Sequence, residues 1–125
     1  MSTIESYFDR IDSLIRHSAV TDDEVTYRRL TAMSGIIDGI LHFYDGSCLE
    51  ITETLRRIRS TVYKQRYRYH YRKGNAQIFR YDNAPHYPQL QTFPHHKHDA
   101  NDQAIESAEM SLKEILDEIG ALAAV

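Results

Sequence analysis

Cysteine is almost missing from this chain of 125 residues. Cys48 stands alone, which excludes an intramolecular disulfide and any zinc site built on several cysteines. A reducing, cytoplasmic setting fits that usage best. No apolar run reaches 18 residues, so no membrane span is expected. The opening Met1-Ser2-Thr3-Ile4-Glu5 lacks a basic stretch followed by an apolar core, so no secretory leader is expected. Glycine and proline are scarce, at five and three residues. The sequence has no glycine-rich phosphate loop, no Gly-x-Ser-x-Gly and no His-Glu-x-x-His. At 125 residues and 42% hydrophobic content it supports one domain, residues 1–125, with one modest core. It cannot hold a large cofactor domain beside a substrate domain.

What is present is concentrated. The formal net charge is −3, but residues 56–98 hold ten Lys and Arg against a single acid, Asp82. The rest of the chain holds five against 17. Five of the seven histidines and six of the nine tyrosines also fall in the basic block. Such a block suits a polyanionic partner, or an exposed basic sheet face balanced by acidic helices.

Hydrophobic spacing predicts a helix over 1–17, with Ile4, Tyr7, Phe8, Ile11, Leu14 and Ile15 on one face and Ser2-x-x-Glu5 as its capping box. Residues 18–26 are polar and read as a loop. Antiparallel sheet is expected over 27–98. Asp45-Gly46 turns between two apolar runs, and Val62 to Lys73 alternates strictly. There Tyr63, Gln65, Tyr67, Tyr69 and Tyr71 point one way, and Lys64, Arg66, Arg68, His70 and Arg72 the other. Lys73-Gly74-Asn75 turns into a returning strand over 76–82. All three prolines lie within 83–94, a constrained loop. Residues 93–98 finish as a short edge strand, 99–106 are polar, and a second helix covers 107–124, with Ser111-x-x-Glu114 as an alternative start. The expected fold is α+β: an antiparallel meander of four to five strands with both helices on its Tyr/Phe face.

Two features can carry chemistry. The alternating Arg/Lys strand is a phosphate-binding face with tyrosines free to stack on bases, or a solvated sheet face. Its cations face no acid on the adjacent strand except Asp82, and that repulsion favours an anionic partner. The second feature is His86 together with His95-His96-Lys97-His98. These could bind a metal, but nearby acids are few and the surroundings cationic. They could equally perform acid–base work near neutrality. A metal-free ribonuclease needs a base, an acid and cations around the phosphate, and the block contains all three. Asp82 orients a histidine or opens an Asx turn. Cys48 reads as a small buried residue.

Three pieces carry a resemblance: Tyr67-Arg68-Tyr69-His70-Tyr71, Ile78-Phe79-Arg80-Tyr81-Asp82-Asn83-Ala84-Pro85-His86 and Thr92-Phe93-Pro94-His95-His96-Lys97-His98. With the Asp45-Gly46 hairpin and Ser111-Leu112, they make the chain resemble the TumE-like toxins of prokaryotic type II toxin–antitoxin systems over residues 27–120. Tyr87 departs from the pattern, which carries a second His there. The resemblance implies a small cytoplasmic toxin paired with a cognate antitoxin, alone in a homodimer or joined in a toxin–antitoxin hetero-oligomer. Blocking translation through RNA suits the basic surface. The expected catalytic residues are His70, Arg80, His86, His95, His96 and His98. The expected RNA-binding residues are Lys64, Arg66, Arg68, Tyr69, Arg72 and Lys97. No metal and no cofactor are expected. The alternatives are an RNA- or ribosome-binding inhibitor without catalysis, and a group-transfer toxin.

Overall fold

A computed structural model describes residues 3–123. In chain order it holds α1 (Ile4–Arg16), β1 (Asp22–Thr31), β2 (Ser34–His42), β3 (Ser47–Ile58), β4 (Thr61–Lys73), β5 (Ala76–Asp82), β6 (His96–His98), β7 (Ala104–Glu106) and α2 (Leu112–Ala123). The strands form a single antiparallel sheet in sequence order, β1 to β7. The α+β class and the flanking helices match expectation. The strand count does not, because seven strands replace the four or five expected.

The additional strand residues come from polar stretches. β1 begins at Asp22, inside the segment read as a loop, and pairs with β2 from Asp22↔His42 onward. Its edge position exposes one face, so its composition carries no apolar alternation across its full length. Gly39 allows the close approach: a Cβ there would lie 2.2 Å from the Glu24 carbonyl oxygen. β7 is three residues long and caps β6, which therefore is not an edge. At the start of α1 the capping box is one residue later than expected. Thr3 Oγ1 accepts the Ser6 N–H, and Ser6 Oγ accepts the Thr3 N–H. Ser2, the expected cap, lies outside the described residues. α2 starts at the alternative position: Ser111 Oγ accepts the Glu114 N–H at 3.2 Å, and the Glu114 carboxylate accepts the Ser111 N–H at 3.0 Å.

The core lies between the helices and one sheet face. Ile4, Ile11 and Ile15 of α1, with Leu112, Ile115 and Ile119 of α2, close over the central strands. Tyr67, Tyr69, Tyr71, Phe79 and Tyr81 line that inner face, as the alternation predicts. Buried tyrosines need partners for their hydroxyls. Tyr7 and Tyr69 both donate to the buried Glu53 carboxylate at 2.5 Å, and Tyr81 donates to Glu118 at 2.6 Å. Burial, reinforced by Glu53, pushes the Tyr69 hydroxyl well above its ordinary pKa, so it stays a donor.

One irregularity determines which side chains reach the outer face. Arg66 pairs with Thr54, but Lys64 pairs with Leu55, so Gln65 is an extra residue on β4. This β-bulge reverses the alternation beyond it. Lys64, expected outward, turns in beneath α2. Its ammonium donates to Tyr69 Oη and the Met110 carbonyl and lies 4.5 Å from the Tyr67 ring centroid. Tyr63, expected inward, is 52% exposed. Asn83 repairs the broken ladder. Its Oδ1 accepts the Tyr67 N–H and its Nδ2 donates to the Gln65 carbonyl, both at 3.0 Å. Asn83→Ala leaves both backbone groups without a partner, and a loss of about 1–3 kcal/mol in unfolding free energy is expected by chemical denaturation. A loss within experimental error would remove the clamp from this account.

Candidate functional site

The register of β4, β5 and β6 lays polar side chains in two rows across the outer face. His70 pairs with Arg80, and Arg80 with His98. Arg68 pairs with Asp82, and Asp82 with His96. Side chains at paired positions share a face. Beside these rows the proline loop supplies His86 and Tyr87. Together with Arg66 and Thr52 they enclose a cleft of about 320 Å³, at the small end of ligand-pocket sizes.

Asp82 is the hub. It is 6% exposed. Its Oδ1 accepts the Ala84 N–H at 3.0 Å and faces His96 Nε2 at 3.0 Å. Its Oδ2 accepts Arg80 Nε at 3.2 Å. His96, 2% exposed, donates from Nδ1 to the Pro94 carbonyl at 2.9 Å. Both of its nitrogens therefore face a partner. His98 is equally buried and less tightly held. Its Nε2 has no hydrogen-bond partner and lies 4.0 Å from Asp82 Oδ2. Its Nδ1 faces the Asp102 carboxylate at 3.2 Å. The Tyr87 ring meets His96 and His98 edge-on, at 4.8 and 5.6 Å between centroids.

Burial, then the Arg80 charge, holds His98 below the ordinary imidazole range. Burial, then Arg68, does the same for His70, although Glu50 opposes it from 3.0 Å. Both imidazoles are thus mostly neutral at pH 7, and His98 lines the cleft with both ring nitrogens shielded from solvent.

Asp82, His96 and His98 are the residues that could hold a metal, since each offers a donor atom within 4.8 Å of the others. The donor set fits poorly. Both Asp82 oxygens already accept hydrogen bonds, the guanidinium of Arg80 sits on the carboxylate, and Arg66 and Arg68 add positive charge to the same cleft. That chemistry suits an anion.

The expected site residues separate into two groups. Arg66, Arg68, Arg80, His86, His96 and His98 line one cleft. His70 lies beside it, its Nδ1 held by Glu50 and its Nε2 buried, outside the cleft wall. Arg72 also lies apart, 3.4 Å from Glu50. Four expectations are corrected by strand alternation and the bulge. Tyr69 is fully buried against Glu53 and no base can reach it. Lys64 is on the inner face. Lys97, between two outward histidines, points inward to Glu118 at 3.1 Å. His95 stacks on Tyr67 and bonds its hydroxyl at 2.9 Å, so it belongs to the inner face too. Sequence reasoning missed Thr52 in the cleft wall and Tyr63 as an exposed aromatic on the outer face, because neither the β3 register nor the bulge has a local signal.

Among the described residues no helix is long and apolar enough to cross a membrane. The fold and site define a small α+β protein with one helix-covered sheet face and one cationic, histidine-bearing face. Residues 9–123 match the family described as Toxin TumE, and the chain belongs to that family. Neither a curated protein nor a solved structure is significantly similar to it.

The lowered histidines make stability depend on pH. Each binds its proton less readily in the folded chain than in the unfolded one, so the unfolded chain takes up more protons as pH falls. Their contribution is complete above about pH 6.5 and declines below it toward their folded values. Denaturation midpoints are expected to fall between pH 7.5 and 5.5, and by less in His98→Gln. An equal fall in both proteins would contradict the assignment to His98.

Proposed function

We propose that the cleft cleaves RNA without a metal ion and that this is how the chain acts as a toxin. Arg66, Arg68 and Arg80 hold the phosphodiester, as guanidinium forks match phosphate oxygens. His98, neutral and with an unpartnered Nε2 beside the Tyr87 ring, takes the proton of the 2′-hydroxyl once that ring moves aside. The oxygen then attacks the adjacent phosphorus, and the 5′-oxygen leaves with a proton from His86 at the cleft rim. Products are a 2′,3′-cyclic phosphate and a free 5′-hydroxyl. Asp82 and His96 act through position: they hold Arg80 and the floor of the cleft in place. The observation that carries this reading is the convergence of three arginines with His86 and His98 on one cleft of nucleotide scale.

The polyanion's path follows from charge. Next to the cleft, β1 to β3 present Glu24, Asp38 and Glu50 around a shallow depression. The strand avoids that half and leaves past Arg66 toward exposed Tyr63 and its register partner Arg56. A cognate antitoxin neutralises the chain by covering this cationic surface with an acidic segment.

The test is purified chain, freed of any antitoxin, with labelled RNA in EDTA beside a 2′-deoxy strand. RNA cleavage with cyclic ends and an intact deoxy strand is expected. His98→Ala and Arg80→Ala are expected to lower the rate about 10²-fold or more, while His95→Ala, on the opposite face, keeps it. Intact RNA with salt-sensitive binding would replace catalysis by occupancy alone.

A further inference from the structure

β1 is a ten-residue edge strand bonded to β2 on one side only. The opposite edge, β7, has three residues. A long open edge offers a row of backbone donors and acceptors to another strand. The charges along this one are ordered. Asp22-Asp23-Glu24 stands at one end, Arg28-Arg29 at the other, and Thr26 between. The geometry points to a partner with the same strand: a second copy of this chain, paired antiparallel about Thr26 across a two-fold axis.

In that register Glu24 lies opposite Arg28 of the other copy and Asp23 opposite Arg29, and the two-fold axis repeats both pairs. Shifting the centre to residue 25 leaves only Asp22 opposite Arg28, and shifting it to residue 27 leaves no opposite-charge pair. Parallel pairing in register sets acid against acid. Cross-strand pairs of opposite charge stabilise a ladder and like charges destabilise it, so the charge order selects one arrangement. The outer-face pair is the less engaged one. Glu24 is 71% exposed at its side chain, with His42 at 3.3 Å as its contact. Arg28 is exposed and makes no ion pair among the described residues. Asp23 and Arg29 already meet Arg16 and Glu5 of α1, so they join an existing network. The dimer is one continuous sheet with an α1 from each copy flanking the axis, and the two cationic clefts face solvent toward its far ends. It brings Arg28 into the acidic half of the neighbouring outer face.

The experiment is mass measurement by light scattering during gel filtration, on the full chain and on two single variants, Glu24→Arg and Arg28→Glu, each checked for unchanged circular dichroism. The wild-type chain is expected at twice its chain mass. Each variant alone sets like charges opposite each other twice and is expected as a monomer. Mixed in equal amounts, the variants restore opposite charges at both places. The introduced arginine of one faces the introduced glutamate of the other, and the unchanged Arg28 of the first faces the unchanged Glu24 of the second. A one-to-one heterodimer is expected. A monomeric wild type, showing that the edge charges serve only to keep strands away, would overturn the proposal. So would variants that remain dimeric alone, or a mixture that stays monomeric.

Discussion

The cleft depends on one constraint, the antiparallel register of β4, β5 and β6. Each strand contributes residues two apart, Arg66 and Arg68, Arg80 and Asp82, His96 and His98, and only the pairing brings the three sets onto one face. Arg68, Asp82 and His96 are brought side by side from three strands, and Asp82 turns the adjacency into bonds with Arg80, His96 and Ala84. The bulge at Gln65 sits one turn of the pleat away, and Asn83, the residue after Asp82, clamps it. Asp82 and Asn83 thus work as a pair: one organises the outer face, the other preserves the ladder that positions it.

The two sheet faces solve opposite problems with the same residue types. On the inner face tyrosine hydroxyls, Lys64 and Lys97 are all matched to acceptors: Glu53, Glu118, Ser47 Oγ and the Met110 carbonyl. Burial without such partners costs about 1–3 kcal/mol per group, so satisfaction there is a condition for folding. On the outer face the cationic side chains are partly solvated, and several nitrogens are left without partners, His98 Nε2 among them.

Much of this architecture was legible in the sequence. The Asp45-Gly46 hairpin, the alternation of β4, the return strand at 76–82, the tyrosine face under the helices and the two helices are all local patterns with a mechanical cause. The second half of β1 fell inside the sheet expected from residue 27, and its first half was hidden because an edge strand buries little and can be polar. β7 was hidden by its three-residue length. The site was legible in composition but not in orientation. Within His95-His96-Lys97-His98, alternation alone separates outward His96 and His98 from inward His95 and Lys97, and the phase of so short a strand is set by its partner β5. Lys64 and Tyr63 changed faces because one inserted residue reverses a period of two.

The central claim is that an RNA phosphodiester occupies the cleft between Arg80 and His98. It is tested most directly by imidazole proton–nitrogen spectra of the full chain titrated with a 2′-deoxy oligonucleotide, which binds without reacting. The account predicts that the resonances of His98 and His86 move with the added strand and that His95, behind the sheet, does not. Movement of His95 with an unchanged His98 would place the nucleic acid on another surface and contradict the account.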